Sequence, residues 1–588
     1  MFFFTKGEWQ VGFRLIYALA NILTPGRSPG CGNYIELNAK KHSSRIAVYF
    51  EDRKLTYAEL NALSNKIANF FSAIGAVKGD TVALFMENCP EFLAIVGGLS
   101  KLGVVTSLIN TNLRLKPLSH AFKICNPRWA IVGANLLPAV EEIIAEMPIG
   151  EDRIFVWDGK PPTKFEGKNL EVLLKNVPES NPPNKHRPHL SDHTINIYTS
   201  GTTGLPKAAK VSNRRWFFTG WALGFSLAKL SHEDVVYTPL PLYHSIGMFV
   251  GWGGALVSGA GFGIRRKFSA SEFWKEAKKF NATLATFIGE MPRFLLNQPP
   301  SAQERDHSIR RCITVGLRAN IWEEFSKRFG IEQVYEFYGA TETNIGIMNA
   351  DGRPGYIGRL LPLQGLIVKW DIQKDDFVRD EKGRCIICKP GESGVLLGRS
   401  ISFLGYDGYL DDKESEGKLV RGVRYKWDRF FNTGDMVKLH EDRWVSFVDR
   451  LGDTFRWKGE NVSTKEVENI LDGYPSLTDI NVYGVEVPGQ EGRAGMASAV
   501  FGDGFDIEDF SCFVVNNLPH YARPLFLRKC REMPTTVTLK HVKYTLREEG
   551  FNPAVVRDPI FFWDRTQEKY VPLNEDLYAD IVTENIRL

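Results

Sequence analysis

The sequence predicts an α/β protein in which a large N-terminal domain precedes a smaller α+β C-terminal domain. Between residues 33 and 140, short β-prone runs alternate with segments of helical periodicity, which is typical of a mainly parallel sheet covered by helices. A loop rich in glycine and hydroxyl groups separates two further strands near residue 200. Beyond residue 450 come β-rich runs at 480–487 and 497–501 and a helical segment at 539–549. We therefore place a boundary near Gly452, which divides the chain into residues 1–450 and 451–588.

The first elements can be assigned from local signals. Residues 46–50 and 54–56 predict a hairpin-like pair of strands. Thr56 is a suitable N-cap for an amphipathic helix over residues 56–74. Residues 81–85 predict a strand, and Pro90, a residue favoured at the first helical position, opens a helix that runs through residue 102.

Size and charge narrow the classes of function. The 588 residues exceed one compact domain, and 43% hydrophobic with 24% charged residues describe an ordinary folded protein. A net charge of +4 gives no support for nucleic-acid binding, so we expect no nucleic-acid partner.

Cysteine usage indicates a reducing compartment. Eight cysteines are scattered along the chain, and Cys385 and Cys388 form the one close pair. Neither a second pair nor nearby histidines complete a zinc set, so we interpret the pair as apolar residues of a strand rather than as a redox or metal site. We expect an intracellular location, in the cytoplasm or peripheral on the cytoplasmic face of a membrane.

The N-terminus leaves two interpretations open. Residues 9–23 are apolar apart from Arg14, and Pro25 ends a run that is too short to span a bilayer. Residues 1–30 are thus either a membrane-interface segment or a helix docked on its own protein, and they lack the features of a secretory signal. Residues 245–264 carry no charge, but their seven glycines favour a buried helix and strand over a membrane span.

The most informative stretch is residues 198–207, with the sequence YTSGTTGLPK. Gly201 and Gly204 allow close backbone approach to a ligand, and Lys207 adds a positive charge. Hydroxyl donors come from Ser200, Thr202 and Thr203. The loop therefore suits a polyphosphate, although its spacing differs from that of the common nucleotide loop. A flexible surface turn is the alternative interpretation.

A second stretch, residues 335–342 (YEFYGATE), combines aromatic, glycine and acidic residues. Tyr338 offers a face for base stacking. Mg²⁺ prefers one or two carboxylates together with phosphate oxygens, so Glu342 fits a metal that already bridges a triphosphate. A strand end capped by Thr341 and Glu342 is the alternative.

A third stretch, residues 432–435 (NTGD), places Asp435 in a predicted tight glycine turn. There its carboxylate would accept hydrogen bonds from both ribose hydroxyls, as acidic residues do in dinucleotide sites. An Asx turn is the alternative.

A fourth stretch, residues 449–463 (DRLGDTFRWKGENVS), is dense in glycine and charge. Ser463 and Glu466 then form a predicted capping box that starts a helix.

In order and rough spacing, the four stretches resemble those of the adenylate-forming superfamily, and the resemblance spans essentially the whole chain. Residues 449–463, 482–496 and 570–573 are similar to the fatty acid transport protein and very-long-chain acyl-CoA synthetase family. The resemblance implies an adenylation domain of helix-covered sheets plus a distorted β-barrel, followed by a smaller mobile domain. It implies ATP, Mg²⁺ and coenzyme A, and a long-chain or very-long-chain fatty acid as substrate.

The resemblance also implies roles for individual residues. Lys540 would bridge the acyl carboxylate and phosphate, His244 would lie beside the acyl tunnel, and Thr341 and Glu342 would contact the α-phosphate and Mg²⁺. Nucleotide contacts would come from Thr199, Ser200, Gly201, Thr202, Thr203, Gly204 and Lys207 at the phosphates, from Gly316, Leu317, Arg318, Tyr338 and Gly339 at adenine, and from Asp435 and Arg450 at ribose. Gly452 occupies a hinge position that is often Asp or Lys in this family.

The implied chemistry needs no Ser-His-Asp triad or reactive cysteine, because the substrate carboxylate itself attacks the α-phosphorus. Arg456 and Lys458 are candidates for coenzyme A phosphates after the small domain rotates about Gly452. Candidates for an acyl-binding wall, with core packing as the alternative, are Trp216, Phe217, Phe218, Trp221, Phe225 and residues 287–296.

Two other functions stay open. One is a ligase for a bile acid, a carnitine-like acid or an aryl acid, or one that loads a carrier protein instead of coenzyme A. The other is a membrane uptake protein whose ligase motifs are secondary. The final residues, IRL, are a poor likeness of a peroxisomal signal, and the oligomeric state is open, with a homodimer among the alternatives.

Overall fold

The structure is a computed structural model whose internal contacts divide it into two units. The first comprises Met1–Arg359 and Ser400–Leu419, and the second comprises Leu360–Arg399 and Val420–Leu588. The described residues are 5–23, 30–159, 168–183, 186–200, 205–343, 345–371, 374–400, 406–458, 460–490, 492–534, 543–586 and 588. The predicted site residues Gly201, Thr202, Thr203, Gly204 and Lys540 lie outside these ranges. The boundary predicted between residues 450 and 451 stays a prediction.

The first unit contains strands, α-helices and shorter helical segments in alternation. Its strands are β1 (Ile46–Phe50), β2 (Arg53–Thr56), β3 (Thr81–Phe85), β4 (Val105–Leu108), β5 (Trp129–Gly133), β6 (Ile154–Trp157), β7 (Lys168–Asn169), β8 (His193–Ser200), β9 (Pro206–Ser212), β10 (Val235–Thr238), β11 (Gly261–Ile264), β12 (Leu284–Ile288), β13 (Arg311–Val315), β14 (Gln333–Tyr338), β15 (Ile347–Asn349) and β16 (Gly358–Arg359). Its α-helices are α1 (Lys6–Leu23), α2 (Cys31–Lys41), α3 (Tyr57–Ala73), α4 (Pro90–Leu102), α5 (Leu115–Cys125), α6 (Leu137–Glu141), α7 (Leu170–Leu174), α8 (Asn213–Thr219), α9 (Gly254–Ser258), α10 (Phe273–Lys279), α11 (Met291–Leu296), α12 (Ala319–Phe329) and α13 (Asp412–Gly417). Segments Gly220–Leu227 and Ile246–Gly253 are π-helical, and 3₁₀ turns lie at Ala134–Leu136, Ile144–Glu146, Glu151–Arg153 and Ala302–Arg305.

Two mainly parallel sheets organise the first unit. Across the described residues, seven strands follow the order β7-β6-β5-β3-β4-β8-β9, and eight follow the order β15-β14-β13-β12-β10-β11-β1-β2. Antiparallel pairing occurs between β8 and β9, between β1 and β2, and between β14 and β15. Helices connect the parallel strands, as expected for strands buried on both faces. The predicted α/β class is confirmed.

Several elements that local sequence signals predicted are present in the structure. Thr56 caps α3 through a reciprocal pair of bonds, in which its hydroxyl accepts from the Glu59 amide at 3.2 Å and its own amide donates to the Glu59 carboxylate at 2.8 Å. Helix α4 begins at Pro90, and every residue in it is buried. Residues 246–264 form buried helices followed by β11, as the sequence predicted.

Helix α1 docks on its own unit. The guanidinium of Arg14 donates to the carbonyl of Phe225 at 2.8 Å, and the ring of Tyr17 stacks on that of Phe225 with 5.9 Å between centroids. Yet Trp9, Phe13, Ile16 and Tyr17 are each more than half exposed, at 53%, 65%, 66% and 59%. The docked-helix interpretation describes these contacts, and the membrane-interface interpretation stays a prediction. Within the described ranges, no helix combines the length and apolarity needed to cross a bilayer.

The second unit is richer in antiparallel pairing. Its strands are β17 (Gly365–Val368), β18 (Trp370–Asp371), β19 (Asp376–Phe377), β20 (Ser393–Arg399), β21 (Leu419–Arg421, which begins in the first unit), β22 (Arg429–Leu439), β23 (Trp444–Arg450), β24 (Phe455–Trp457), β25 (Glu460–Val462), β26 (Leu477–Val485), β27 (Ala494–Phe501), β28 (Phe526–Lys529), β29 (Ile560–Asp564) and β30 (Lys569–Pro572). Its helices are α14 (Thr464–Leu471), α15 (Ile507–Asn517), α16 (Lys543–Glu549) and α17 (Glu575–Val582), with a 3₁₀ turn at Glu441–Arg443. Strands β17, β20, β22 and β23 pair in that order, and β26 to β30 form a second sheet with its own apolar core.

The Cys385–Cys388 segment departs from the predicted strand. Residues Cys385 and Ile387 make isolated bridges with Arg379 and Val368 instead of joining a regular ladder, so the strand assignment was wrong. Both thiols are buried, and burial raises their pKa, that of Cys388 to about 11. The raised pKa values of both thiols, and the place of Cys385 in the apolar cluster around Phe430, agree with an apolar packing role.

Candidate nucleotide and acyl site

The predicted phosphate loop connects the two strands of a hairpin. Strands β8 and β9 pair antiparallel, with Thr199 opposite Lys207 and Ser200 opposite Pro206. Strand β8 also pairs in parallel with β4, so the hairpin is continuous with the seven-stranded sheet. This placement fixes both ends of the loop on a rigid sheet.

Lys207 is engaged by a distant carboxylate of the same unit. Its ammonium group donates to Glu414 of α13 at 2.5 Å, and its side chain is 18% exposed while that of Glu414 is 39% exposed. The pairing is assisted by β9, whose Ala209 forms a bridge with Tyr409, just before α13. The cation predicted to bind phosphate is thus held in place by an anion.

The predicted adenine site gathers at the carboxyl ends of two adjacent parallel strands. Strands β13 and β14 pair with Thr314 opposite Glu336, which brings Gly316, Leu317 and Arg318 to the same edge as Tyr338 and Gly339. Carboxyl ends of parallel strands are where α/β sheets bind ligands. The structure therefore brings together the two predicted walls of this subsite.

A buried carboxylate holds the backbone of that edge. Glu336 is 4% exposed, and it accepts hydrogen bonds from the Thr314 hydroxyl and, at 2.5 Å, from the Gly316 amide. Burial raises the pKa of Glu336 to about 7, opposed by the bonds from Thr314 and from the amides of Gly316 and Leu317. Gly316 has φ +87°, a left-handed conformation that a side chain would strain. The glycine and the carboxylate together shape the turn.

Arg318 is fixed by a further carboxylate rather than projecting into solvent. It pairs with Glu290 at 2.8 Å, and Glu290 also accepts from Arg293 at 2.5 Å. All three side chains are at most 11% exposed.

Thr341 and His244 lie in neighbouring segments. Thr341 is buried and donates from its hydroxyl to that of Ser245 at 3.0 Å. His244 precedes Ser245, at the start of the π-helical segment, and its Nδ1 accepts from the Ile246 amide at 3.4 Å. The structure thus joins the second predicted motif to the predicted acyl-tunnel histidine.

Glu342 faces hydroxyl and cationic groups. The pKa values of Tyr406 and Tyr409 are raised, first by burial and then by the negative charge of Glu342, and Tyr409 hydrogen-bonds to that carboxylate. Arg215, whose guanidinium donates to the Thr343 carbonyl, is attracted to Asp407 and to Glu342.

A one-carboxylate metal site agrees with this donor set. Among the described residues, no group of three or more His, Cys, Asp or Glu side chains forms a cage for a metal. Mg²⁺ that travels with nucleotide phosphates needs no such cage, because phosphate oxygens and waters complete its shell. Glu342, which is partly exposed, fits that requirement.

In the second unit, Asp435 and Arg450 are cross-strand partners on β22 and β23, with Arg450 Nε 3.6 Å from Asp435 Oδ1. The predicted tight turn around Asp435 was wrong as a reversal of the chain, whereas the alternative, an Asx turn, is present at Asn432 and Gly434. Gly434, with φ +73°, belongs instead to an irregularity within β22, where Asn432 Oδ1 accepts from the Gly434 amide at 2.9 Å. The bulge orients Asp435, which is 8% exposed, without ending the strand.

Gly452 lies two residues after the end of β23. A Cβ atom at this position would meet nothing within 4 Å, and its carbonyl accepts from Arg547 at 3.3 Å. The next helix, α14, is capped by Ser463, which accepts from the Glu466 amide at 3.3 Å, and by Asp449, which accepts from the Thr464 amide at 2.7 Å.

Comparison with known proteins decides the family. The family model described as "AMP-binding enzyme" matches residues 35–398. The chain is 40% identical over 563 residues to long-chain fatty acid transport protein 2 of Rattus norvegicus, covering 94% of this chain and 90% of the relative. It is also 40% identical over 541 residues to long-chain fatty acid transport protein 1 of Homo sapiens, covering 90% of this chain and 83% of that protein. The chain belongs to the long-chain fatty acid transport protein family of AMP-binding enzymes.

Solved structures share the fold of this fatty acid transport protein family member. The anthranilate CoA ligase AuaEII in complex with anthranoyl-AMP superposes with a TM-score of 0.77 at 21% identity, covering 89% of this chain and 97% of that chain. A Mycobacterium tuberculosis fatty acyl CoA synthetase superposes with a TM-score of 0.62 at 22% identity, covering 88% and 98%. The resemblance that the motifs implied is confirmed.

Sequence reasoning missed several side chains around the motifs of this AMP-binding enzyme. For Glu336 the sequence did contain a signal that could have been used, because this carboxylate lies inside the otherwise uncharged run 334–338. Glu414, Tyr406 and Tyr409 lie in a segment that no motif marked, about 200 residues from the phosphate loop.

The aromatic residues predicted to line an acyl site have different environments in the structure. Trp216, Phe217 and Trp221 are buried, and the indole of Trp216 donates to the Met248 carbonyl at 2.9 Å. That bond ties α8 to the second π-helical segment, as core packing would. Phe225 instead supports α1 through its contact with Tyr17. An acyl-binding role for this set stays a prediction.

Proposed function

We propose that this protein is an ATP-dependent acyl-CoA synthetase that activates a long-chain or very-long-chain fatty acid as an acyl-adenylate and transfers it to coenzyme A. The observation that carries the proposal is the 40% identity to a long-chain fatty acid transport protein over 94% of this chain, within the AMP-binding enzymes. The fatty acid class follows from the names of these relatives.

In the first half-reaction, a carboxylate oxygen of the acid forms a bond to the α-phosphorus of ATP, and the bond to pyrophosphate breaks. Catalysis then consists of positioning and charge neutralisation. Lys207 exchanges its partner Glu414 for the β- and γ-phosphates, and Tyr338 stacks on adenine against the turn held by Glu336. Thr341 and His244 lie near the reacting carboxylate, and Lys540, outside the described residues, would bridge it to the phosphate.

Mg²⁺ bound to the phosphates would be held by Glu342 and would neutralise charge that develops on the phosphate oxygens. Arg215 and the hydroxyl of Tyr409 keep the Glu342 carboxylate oriented for that contact.

In the second half-reaction, the thiol of coenzyme A attacks the acyl carbonyl, forms the thioester and expels AMP, and the thiol proton is lost to solvent. Asp435 holds the ribose hydroxyls in both steps, with Arg450 beside it. We assign the change of geometry between the steps to a rotation about Gly452, with Arg456 and Lys458 as contacts for coenzyme A phosphates. Ordinary solvated surface charge is the alternative role for these two cations.

Peripheral membrane contact through α1 is a further part of the proposal. The proposal is supported by the exposed apolar side chains of this helix, which also makes contacts with its own unit. These side chains are Trp9, Phe13, Ile16 and Tyr17. Trapping of an acid as its thioester then gives uptake without a channel, in keeping with the word transport in the relatives' names. Replacing Phe13 and Ile16 by serine lowers membrane partition if the exposed face is used. Unchanged partition would leave α1 as a docked helix.

The test of the activity is ATP–pyrophosphate exchange with octanoate, palmitate and a C24 acid, followed by thioester formation with coenzyme A. Exchange that needs acid but not coenzyme A, with a preference for the longer acids, supports the proposal. A preference for bile acids, carnitine-like acids or aryl acids assigns the protein to a related ligase instead. Thioester formation on a carrier protein but not on coenzyme A overturns the assigned acceptor.

A further inference from the structure

The turn at residues 421–429 presents two aromatic rings at the surface of the second unit. Trp427 is 80% exposed, the highest value for a large hydrophobic side chain among the described residues, and Tyr425 is 48% exposed. Their rings stack, with 5.4 Å between centroids and 8° between planes. A stacked aromatic pair held outside an apolar core costs solvation free energy and therefore calls for a function.

The exposure of these rings is imposed by a well-ordered turn. The carboxylate of Asp428 accepts from the amides of Val423 and Arg424 at 2.8 Å and from that of Tyr425 at 2.9 Å. Val423, near the start of the turn, and Phe430, directly after it, are buried in an apolar cluster. The turn is thus pinned at both ends, and its only acidic side chain is used to hold its backbone.

The same turn carries a local excess of positive charge. Arg421, Arg424, Lys426 and Arg429 are exposed basic residues, against the single acid Asp428, so residues 421–429 have four positive charges and one negative charge. Segment 374–384 adjoins the turn, because the amide of the next residue, Cys385, donates to the Val423 carbonyl at 3.0 Å. This segment carries four basic and four acidic residues. That neighbour adds no net charge to the turn.

We propose that residues 421–429 form a docking surface for an anionic lipid bilayer. Tryptophan and tyrosine favour the headgroup region of membranes because their rings have an apolar body and a polar edge. Basic residues near an anionic surface add about fivefold in affinity each, and durable binding needs two such signals in combination. This turn supplies both. The proposal concerns residues outside the four ligase motifs and does not rest on the proposed activity.

The test is co-sedimentation of the full chain with vesicles of phosphatidylcholine alone or with about 30% phosphatidylserine. One variant replaces the rings (Tyr425→Ser with Trp427→Ser), and another replaces three cations (Arg424→Gln, Lys426→Gln and Arg429→Gln). Matched controls in the same unit are Tyr521→Ser for the rings and Arg531→Gln with Arg557→Gln for the charges, since all three control side chains are exposed. Every variant retains residues 1–30, so any contribution of α1 cancels in the comparison.

We expect the three-cation variant to lose at least about tenfold in partition to the anionic vesicles, with a smaller loss for the ring variant and none for the controls. Hydrogen exchange of residues 420–430 should slow on anionic vesicles only. Equal partition of all variants, or equal binding to both vesicle types, would overturn the proposal. So would protection of this turn by coenzyme A in the absence of vesicles, which would assign it to a nucleotide. Unaltered melting temperatures of the variants exclude misfolding as the cause of a loss.

Discussion

The ammonium group of Lys207 lies 2.5 Å from the carboxylate of Glu414. The same lysine is the cation that we propose binds the β- and γ-phosphates of ATP, so Glu414 competes with the substrate for it. A carboxylate in this place holds the Lys207 ammonium group and spares it from being an unpaired, 18% exposed charge before nucleotide arrives.

Glu414→Gln should lower the KM for ATP about two- to fivefold, because the amide oxygen still positions Lys207 but no longer competes as an anion. This change corresponds to ~0.4–1 kcal/mol, within the ~0.2–1 kcal/mol typical of partly exposed ion pairs. Lys207→Met should raise the KM for ATP about 10- to 100-fold, as loss of a charge-assisted bond predicts. The measurement is ATP–pyrophosphate exchange against ATP concentration. Glu416→Gln, an exposed carboxylate on the same helix, is the control, and a higher KM in Glu414→Gln would contradict the competition.

Glu336→Gln should raise the KM for ATP about tenfold while leaving the KM for the acid nearly unchanged. The carboxylate accepts from the Gly316 amide, whereas an amide group offers one acceptor oxygen and one donor that faces other donors. The wild-type KM for ATP should also rise as the pH falls through about 7, where the pKa of Glu336 lies, and the variant should lack that inflection. Equal changes in both KM values would indicate general damage rather than a misplaced adenine wall.

The raised pKa of Glu336 also predicts that the stability of the folded protein depends on pH. Since burial raises the pKa of Glu336 from 4.5 to about 7, the folded protein binds this proton more tightly than the unfolded chain does. Stability from this group is therefore present below about pH 4.5 and is lost as the pH rises through about 7. The melting temperature of Glu336→Gln relative to wild type should accordingly increase from pH 5 to pH 8. A difference that stays constant over this range would show that Glu336 does not titrate there.

Sequence reasoning succeeded where a signal was local. The cap at Thr56 lies three residues from its partner Glu59, and the β-α alternation of residues 33–140 determines a parallel sheet through short connections. The adenine edge was also within reach, because β13 and β14 are neighbours whose ends meet. Each of these predictions depended on residues or elements that follow one another closely in the sequence.

Sequence reasoning failed where an irregular backbone or a partner distant in the sequence determined the local structure. Glu414 lies 207 residues from Lys207, and nothing in either segment signals the other. Asp435 was placed in a turn because Gly434 favours left-handed backbone, yet a strand accommodates the same conformation as a bulge. Cys385 has the apolar neighbours of a strand residue but meets its partner through an isolated bridge.

Glu342→Gln should reduce kcat/KM for adenylation about 100-fold and raise the Mg²⁺ concentration needed for half-maximal rate, since a neutral amide is a weaker ligand for a hard cation. Chelation of divalent metal should abolish exchange in wild type and variant alike. The rate is measured as ATP–pyrophosphate exchange over a Mg²⁺ titration. Glu332→Gln, an exposed acid just before β14, is the matched control. An unchanged Mg²⁺ requirement in Glu342→Gln would remove this residue from the metal site.

Gly452→Pro should slow thioester formation more than adenylate formation, because proline fixes φ at the position where we propose that the chain rotates between the two steps. Gly452→Ala is the matched control. A Cβ atom there meets nothing within 4 Å, and this glycine is not among those with left-handed backbone, so alanine should leave both steps near wild type. Stopped-flow measurement separates the steps, with pyrophosphate release reporting the first and consumption of the coenzyme A thiol the second. Equal losses in both steps would place the fault in folding or nucleotide binding and would contradict a rotation at Gly452.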